Sequence, residues 1–277
     1  MSADFVEADW LASRLDDPRV RIIDARSVPH GGIVTMPSGK EQFAAGHIPG
    51  AVHLDYADDL SDPATPYAAR VAPPHRFALV MGAHSIGDDS IVVAYDAGTI
   101  PFAARMVWML RYYGHEEAYV LAGGLPAWTA AGHQLSTEAR KIAHAEFTPR
   151  THPEIRAARD EVRAIAEGRS TAQLIETQRD QTYAQRDRDI KGAVRLSGND
   201  LLEDARGGRV ANPATLERLV RERELNPNAR TIVTCGSGVS ASGAWLALRE
   251  AGFNDVAVYD GSWMEWEHDE LPTVPKH

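Results

Sequence analysis

The sequence predicts an α/β protein made of two tandem copies of one domain, each a mainly parallel sheet with helices on both faces. Three observations predict it. The chain has 277 residues, enough for two domains of ordinary size. Short β-branched or apolar runs alternate with helix-length segments, the pattern of a parallel sheet covered on both sides. The second half also repeats the first. Val120-Leu121-Ala122-Gly123-Gly124-Leu125-Pro126-Ala127-Trp128 is similar to Val258-Tyr259-Asp260-Gly261-Ser262-Trp263-Met264-Glu265-Trp266, an offset of 138 that also pairs Gly114 with Gly252. A single long repeat of this kind is a duplicated domain, not a short-period solenoid.

The elements follow in order. In the first half, buried strands are expected near 20–24, 51–54, 90–95 and 118–121, with helices near 40–45, 75–83, 102–113 and 125–131. The second half gives strands near 172–176, 193–196, 230–234 and 256–259, with helices near 155–167, 213–223, 240–251 and 263–268. The stretch from Ser136 to Glu154 is polar, contains Pro149 and Pro153 and has no periodic apolar face, so it reads as a linker. The expected organisation is an N-terminal domain at 1–136, a linker at 137–154 and a C-terminal domain at 155–277.

Composition narrows the function. Twenty-nine Lys and Arg stand against 39 Asp and Glu, a formal charge of −10, which argues against general nucleic-acid binding. No apolar run reaches 18 residues, so no membrane span is expected. Met1 to Trp10 carries three acids and no basic residue, so no signal peptide is expected and a cytoplasmic location is inferred. No pair of the 11 histidines has metal-ligand spacing on one helix, and no phosphate-binding glycine pattern occurs. Neither a metal nor a cofactor is expected. Trp108, Trp128, Trp245, Trp263 and Trp266 are expected to pack cores and the domain interface.

The one cysteine, Cys235, follows the β-branched run Thr231-Ile232-Val233-Thr234 and precedes Gly236-Ser237-Gly238-Val239-Ser240 and a strong helix near Ala241. That puts the thiol at the carboxyl end of a parallel strand, where α/β sheets hold ligands. Gly236 and Gly238 allow a tight loop whose N–H groups form an anion nest. The following helix adds its positive end, with Ser240 the expected N-cap. These effects predict a lowered thiol pKa and a nucleophilic sulfur. The plain alternative is a buried cysteine in a structural turn. A cysteine-phosphatase loop would need an arginine six residues on, and Ala241 stands there, so the clamp for a phosphate ester is missing.

Cys235-Gly236-Ser237-Gly238-Val239-Ser240-Ala241 resembles the active-site loop of the rhodanese superfamily. Gly46-His47-Ile48-Pro49-Gly50-Ala51 and Asp260-Gly261-Ser262-Trp263-Met264-Glu265-Trp266 resemble two further signatures of that family, in the right order. The resemblance covers nearly the whole chain. It implies two tandem rhodanese-like domains, each with a five-stranded parallel sheet. It also implies that only the second is catalytic, since Asp96 occupies the cysteine position of the first.

The resemblance further implies a sulfurtransferase that carries a sulfane sulfur on Cys235 from 3-mercaptopyruvate or thiosulfate to cyanide or a thiol, such as a thioredoxin-like protein or small thiol. The expected nest is Gly236, Ser237, Gly238, Val239 and Ser240, with the Ser237 hydroxyl assisting catalysis. A loop without Arg or Lys favours 3-mercaptopyruvate over thiosulfate. Arg179, Arg186 and Arg188 are candidates to bind the anionic donor.

The second half departs from the family pattern. Glu176-Thr177-Gln178 replaces Asp-small-Arg, and Asp189-Ile190-Lys191-Gly192 replaces His-Ile-Pro-Gly. Tyr67 is followed by Ala68 and Ala69, not by the histidine proposed to work with the loop serine, and His75 is not at the matching position. These departures leave a rhodanese-like sulfur-carrier or sensing module with little turnover as the alternative function.

Overall fold

A computed structural model describes residues 4–28, 36–67, 69–203 and 208–276, so position 68 lies outside the described residues. These form two compact units. One runs to Thr151 and takes in Gly208 and Arg209; the other holds the rest from His152 onward.

The first unit contains β1 (Phe5–Val6), α1 (Ala8–Ala12), β2 (Val20–Asp24), α2 (Gly39–Ala45), β3 (Ala51–His53), α3 (Pro74–Ala83), β4 (Ile91–Tyr95), α4 (Pro101–Tyr112), β5 (Ala118–Leu121) and α5 (Gly124–Ala130). The second opens on a 3-10 turn at Pro153–Ile155. It continues with β6 (Arg156–Ala157), α6 (Arg159–Ala166), β7 (Gln173–Glu176), α7 (Asp180–Tyr183), β8 (Arg188–Ile190), β9 (Ala193–Arg195), α8 (Pro213–Glu222), β10 (Thr231–Thr234), α9 (Val239–Glu250), β11 (Val256–Tyr259), α10 (Ser262–His268) and β12 (Thr273–Pro275).

Each unit has a five-stranded sheet, ordered β1-β5-β4-β2-β3 and β6-β11-β10-β7-β9, and every pairing within these sheets is parallel. The identical order is the structural form of the sequence duplication. The central strands are β4 and β10. All four residues of β10 are buried, as are the last four of β4. That is why they read as continuous apolar runs without alternation. α4 and α9, which follow these strands, are buried almost all round. α6 and α8 bury only a stripe, with Val162, Ile165 and Ala166 inside on one and Leu216 and Leu219 on the other, as surface helices do. All five tryptophans singled out above are buried. Trp128 sits in the first core, and Trp263 and Trp266 in the second.

Several elements differ from expectation. The helix expected over 155–167 begins only at Arg159; Arg156–Ala157 before it is the edge strand β6, paired with β11. Its counterpart β1, paired with β5, was likewise not visible. Two residues cannot display a period, and each edge strand exists only because a distant strand offers it a ladder. The antiparallel pair β8–β12 joins residues more than 80 positions apart and was missed for the same reason.

Most of the polar stretch after Ser136 is an extended strap on the first unit. His47 and Ser136 exchange backbone bonds (2.9 and 2.8 Å). The His47 ring reaches beyond its own turn, Nδ1 to the Phe43 carbonyl (2.9 Å) and Nε2 to that of Glu138 (3.1 Å). Farther along, Ala145 N–H donates to Gly82, Thr148 N–H to the Asp88 carboxylate (2.7 Å) and Arg150 N–H to the Tyr113 carbonyl (2.9 Å). The strap needs no apolar periodicity because backbone hydrogen bonds hold it.

Gly114 and its repeat partner Gly252 have φ of +82° and +85°, but only Gly114 lies under the strap, where an added Cβ would stand 2.7 Å from the Arg150 carbonyl oxygen. Gly252→Ala should therefore cost about 1–2 kcal/mol, the left-handed backbone alone. Gly114→Ala should cost about 1–3 kcal/mol more from overlap. Urea unfolding of the two variants measures the difference, and equal losses would show that the strap does not press on Gly114.

Candidate active site

The strand order fixes where a site can form. From β10 the chain crosses one way to β11, and from β7 the other way to β9, so the loops leaving β7 and β10 diverge at their carboxyl ends. This is the switch point at which parallel sheets bind ligands. The β10 side carries Cys235. The β7 side carries Glu176, Thr177, Gln178 and Arg179, with Glu176 directly in register with Thr234.

The Cys235 loop is fixed from several sides. Thr177 gives both its N–H (2.7 Å) and its hydroxyl (2.9 Å) to the Thr234 carbonyl. Ser262 Oγ accepts the Cys235 N–H (3.2 Å) and donates to the Tyr259 carbonyl (2.7 Å). Trp263 and Met264 N–H groups donate to the Cys235 and Gly236 carbonyls, both at 3.0 Å. Within this frame Cys235 is 2% exposed. It accepts the Gly238 N–H at 3.2 Å, and the N–H groups of Ser237 and Ala241 also favour its anion. Gly238, at φ +83°, caps α9. The expected cap, Ser240, is instead the second residue of that helix. Glycine is suited to this cap because it takes the left-handed conformation without a Cβ clash.

The first unit shows the same turn with different contents. Asp96 follows β4 as Cys235 follows β10, and its carboxylate occupies its own nest. Oδ1 accepts from Gly98 (2.9 Å), Thr99 (2.9 Å) and Ile100 (3.2 Å), and Oδ2 from Ala103 (3.4 Å). The turn closes so tightly that a Cβ on Gly124 would stand 2.6 Å from the Asp96 carbonyl oxygen. Ser262 fills the repeat position of Gly124, at a strained φ of +49°, and supplies the hydroxyl that holds Cys235.

The acid before each loop is also matched. In the first unit Asp24 takes Arg26 through both oxygens, Nε to Oδ1 (3.0 Å) and Nη2 to Oδ2 (2.6 Å), and accepts the Tyr95 hydroxyl (2.6 Å). In the second unit Gln178 stands where that arginine would be. Arg186, eight residues on, takes its place. Its Nη2 lies between Glu176 Oε2 and Asp189 Oδ1, the latter at 2.6 Å. The guanidinium stacks between the Tyr183 and Trp263 rings, 4.8 and 4.5 Å from their centroids.

Electrostatics correct one expectation. The Cys235 thiol pKa is raised, first by burial and then by the Glu176 charge, against the three N–H groups that pull it down. The nest is present, but loss of water outweighs it in the resting protein. Burial also raises the Glu176 carboxyl, opposed by Arg186 and the Gln178 N–H.

Gly236, Ser237, Gly238, Val239 and Ser240 form the loop and first turn beside the sulfur. Of the three arginines, Arg179 is at this place: a Cβ on Gly198 would be 3.9 Å from its Cγ and 4.0 Å from Ser240 Cβ. Arg186 is turned inward with its side chain 8% exposed. Arg188 is exposed on β8. Sequence reading missed the Ala241 N–H, Ser262 and the Glu176 charge. The Gly-to-Ser exchange between repeats was the visible signal for Ser262. Among the described residues, no group of three or more His, Cys, Asp or Glu could hold a metal ion, and no helix is long and apolar enough to cross a membrane.

Comparison with known proteins agrees with this architecture. Residues 7–131 and 158–269 each match the rhodanese-like domain model. The chain is 32% identical to the 3-mercaptopyruvate sulfurtransferase of Escherichia coli K12, over 98% of each chain. It is 29% identical to the human 3-mercaptopyruvate sulfurtransferase over 94% of this chain and 91% of that one. It is also 29% identical to the chicken thiosulfate sulfurtransferase over 96% and 94%. The crystal structure of SseA from Escherichia coli, a 3-mercaptopyruvate sulfotransferase, superposes with a TM-score of 0.86 at 32% identity, covering 95% of this chain and 99% of that one. With the duplicated sheet order and the cysteine loop, these matches establish that the chain belongs to the rhodanese family, as two tandem rhodanese-like domains.

Proposed function

We propose that this protein is a sulfurtransferase that carries a sulfane sulfur on Cys235. The observation that carries the reading is the Cys235 sulfur held at the end of the central strand with the N–H groups of Ser237, Gly238 and Ala241 turned on it. The relatives' names support it.

In the first step Cys235 sulfur attacks the donor's sulfur. With 3-mercaptopyruvate the carbon–sulfur bond breaks, its electron pair passes to the methylene carbon as an enolate, and the proton that left Cys235 ends on that carbon. The products are pyruvate and a Cys235 persulfide. With thiosulfate the sulfur–sulfur bond breaks and the proton leaves with sulfite. In the second step a thiol attacks the outer sulfur, takes it as a new persulfide and returns Cys235 as a thiol; cyanide would leave as thiocyanate. This is covalent catalysis, with the N–H nest stabilising the negative sulfur as it develops. The hydroxyl of the half-buried Ser237 is assigned to assist the donor's carbonyl.

3-Mercaptopyruvate is the favoured donor because Gly236 to Ser240 carries no cation. Arg179, which like Ser240 borders Gly198, is assigned to its carboxylate. Arg186, already shared by two carboxylates, and the exposed Arg188 are not. The acceptor class is a small thiol or a thioredoxin-like protein, and a cytoplasmic setting fits both.

The test is intact-mass measurement after incubation with 3-mercaptopyruvate or thiosulfate. One added sulfur is expected, lost on adding cyanide or a thiol and absent in Cys235→Ser. No added sulfur from either donor would overturn the reading, and stable loading without turnover would leave the carrier or sensing role. Arg179→Gln should raise KM for 3-mercaptopyruvate about 10–100-fold, the worth of one charge-assisted contact of about 1.5–3 kcal/mol; an unchanged KM would remove Arg179 from the site. Ser262→Ala leaves the buried Cys235 N–H unpaired and should cost about 1–3 kcal/mol of stability, read by urea unfolding, with slower sulfur loading.

A further inference from the structure

The segment that begins with Arg179 cannot hold its own shape. α7 is four residues long and none of them is buried, whereas an isolated helix is only marginal even at about 12–15 residues. In the run Asp180-Gln181-Thr182-Tyr183-Ala184-Gln185-Arg186-Asp187 the large ring is Tyr183. Locally, the Arg179 carbonyl accepts the Thr182 N–H (3.1 Å), the Tyr183 N–H (2.8 Å) and the Thr182 hydroxyl (3.0 Å). The rest of the order has to come from outside, and it is applied at Tyr183.

β12 applies it. This strand pairs with β8, Thr273 opposite Ile190 and Pro275 opposite Arg188, and the Lys276 N–H extends the ladder to the Asp187 carbonyl (2.8 Å). The register brings the Lys276 side chain onto α7. Its Nζ donates to the Tyr183 carbonyl (2.9 Å) and stands 4.4 Å from the Tyr183 ring centroid. That carbonyl lies at the end of α7, where a helix leaves acceptors unpaired and a lysine is a favoured partner. A cation near an aromatic ring adds to the grip. The ring also meets Arg195 at 4.1 Å and Arg186 at 4.8 Å, and its hydroxyl donates to Asp189.

The helix that delivers β12 also frames the sulfur. α10 opens with Ser262 and Trp263, both bonded to Cys235. It passes into β12 through the Leu271 N–H on the Trp266 carbonyl (3.1 Å) and the Trp266 ring N–H on the Pro272 carbonyl (3.0 Å). One helix therefore references both the cysteine loop and, through Lys276, the segment headed by Arg179.

We propose that Lys276 is a positioning residue for the sulfur donor: by clamping Tyr183 it keeps α7 wound and holds Arg179, the residue that caps α7, in place. The inference rests on the assignment of Arg179 to the donor's carboxylate and deepens it. Lys276 acts through α7 and not by contact with the donor. An arginine ordered in advance loses less freedom when the donor binds, so the clamp lowers KM and leaves the sulfur step itself unchanged.

Two measurements on the full chain test this. The first is amide hydrogen exchange over residues 180–186, followed by mass and without donor. Lys276→Met keeps an unbranched apolar side chain and removes the ammonium. It should speed exchange in this segment about tenfold and leave the Cys235 loop unchanged. The second is steady-state turnover of 3-mercaptopyruvate. Lys276→Met should raise KM about 3–10-fold with kcat within about twofold of wild type. Lys276→Arg keeps a donor for the carbonyl and a cation for the ring, and should restore the wild-type KM. Added to Arg179→Gln, Lys276→Met should raise KM no further, because both changes act through one contact. A merely structural lysine would lower Tm and add its full effect in the double variant. Unchanged exchange, an unchanged KM in Lys276→Met, or full additivity with Arg179→Gln would each overturn the proposal. If Arg179→Gln alone leaves KM unchanged, the assignment of Arg179 fails, and exchange, which needs no donor, decides the clamp separately.

Discussion

Both units are built on a turn that aims backbone N–H groups at whatever follows the central strand. A parallel sheet buried on both faces has to end that strand among polar backbone groups that need partners. Each unit supplies one negative or polarizable group to receive them. Asp96 does so in the first unit with its own carboxylate, accepting four N–H groups and closing the turn. Cys235 does so in the second with a larger, softer sulfur and three N–H groups. The two turns therefore satisfy one backbone requirement, and the occupant decides whether the turn closes on a carboxylate or holds a sulfur.

The surroundings adapt to that occupant. Where the first unit closes onto Gly124, the second inserts Ser262 at positive φ and uses its hydroxyl to hold the Cys235 N–H. Such local strain persists where neighbouring bonds over-determine the conformation, here the bond from Ser262 to Tyr259 and the Trp263 and Met264 N–H groups on the loop. The acid at the end of the neighbouring strand is retained in both units, but its cation changes. Asp24 is bound by Arg26 through two oxygens, whereas Glu176 shares Arg186 with Asp189. A bidentate pair cancels charge locally; the shared one divides a single cation between two carboxylates.

These exchanges make the sequence departures intelligible. Glu-Thr-Gln in place of Asp-small-Arg looks in the linear sequence like a lost ion pair. Asp189 in place of a histidine looks unrelated to it. In the folded unit they are one change: Arg186 replaces the missing arginine, and Asp189 helps to hold Arg186. His47, in the position that Asp189 takes, has a different duty in the first unit, tying α2 to the strap through two carbonyls.

The sequence by itself determined the class of fold, the duplication, the central strands and the place of Cys235, because each is written in local patterns. Buried parallel strands read as unbroken apolar runs, repeats preserve glycines at fixed offsets, and glycines directly after such a strand permit the tight turn that ends it. The tertiary structure alone decided the two-residue edge strands, the strap, the pairing of Arg186 with Glu176, the place of Arg179 near Gly198 and the upward direction of the thiol pKa. The physical reason is common to all five. Each depends on what a distant segment brings into contact, whether a strand to pair with, a carbonyl, a counter-ion or the apolar wall that excludes water. A lowered thiol pKa followed from the loop considered alone; burial and the charge on β7, which the loop sequence does not contain, reversed it.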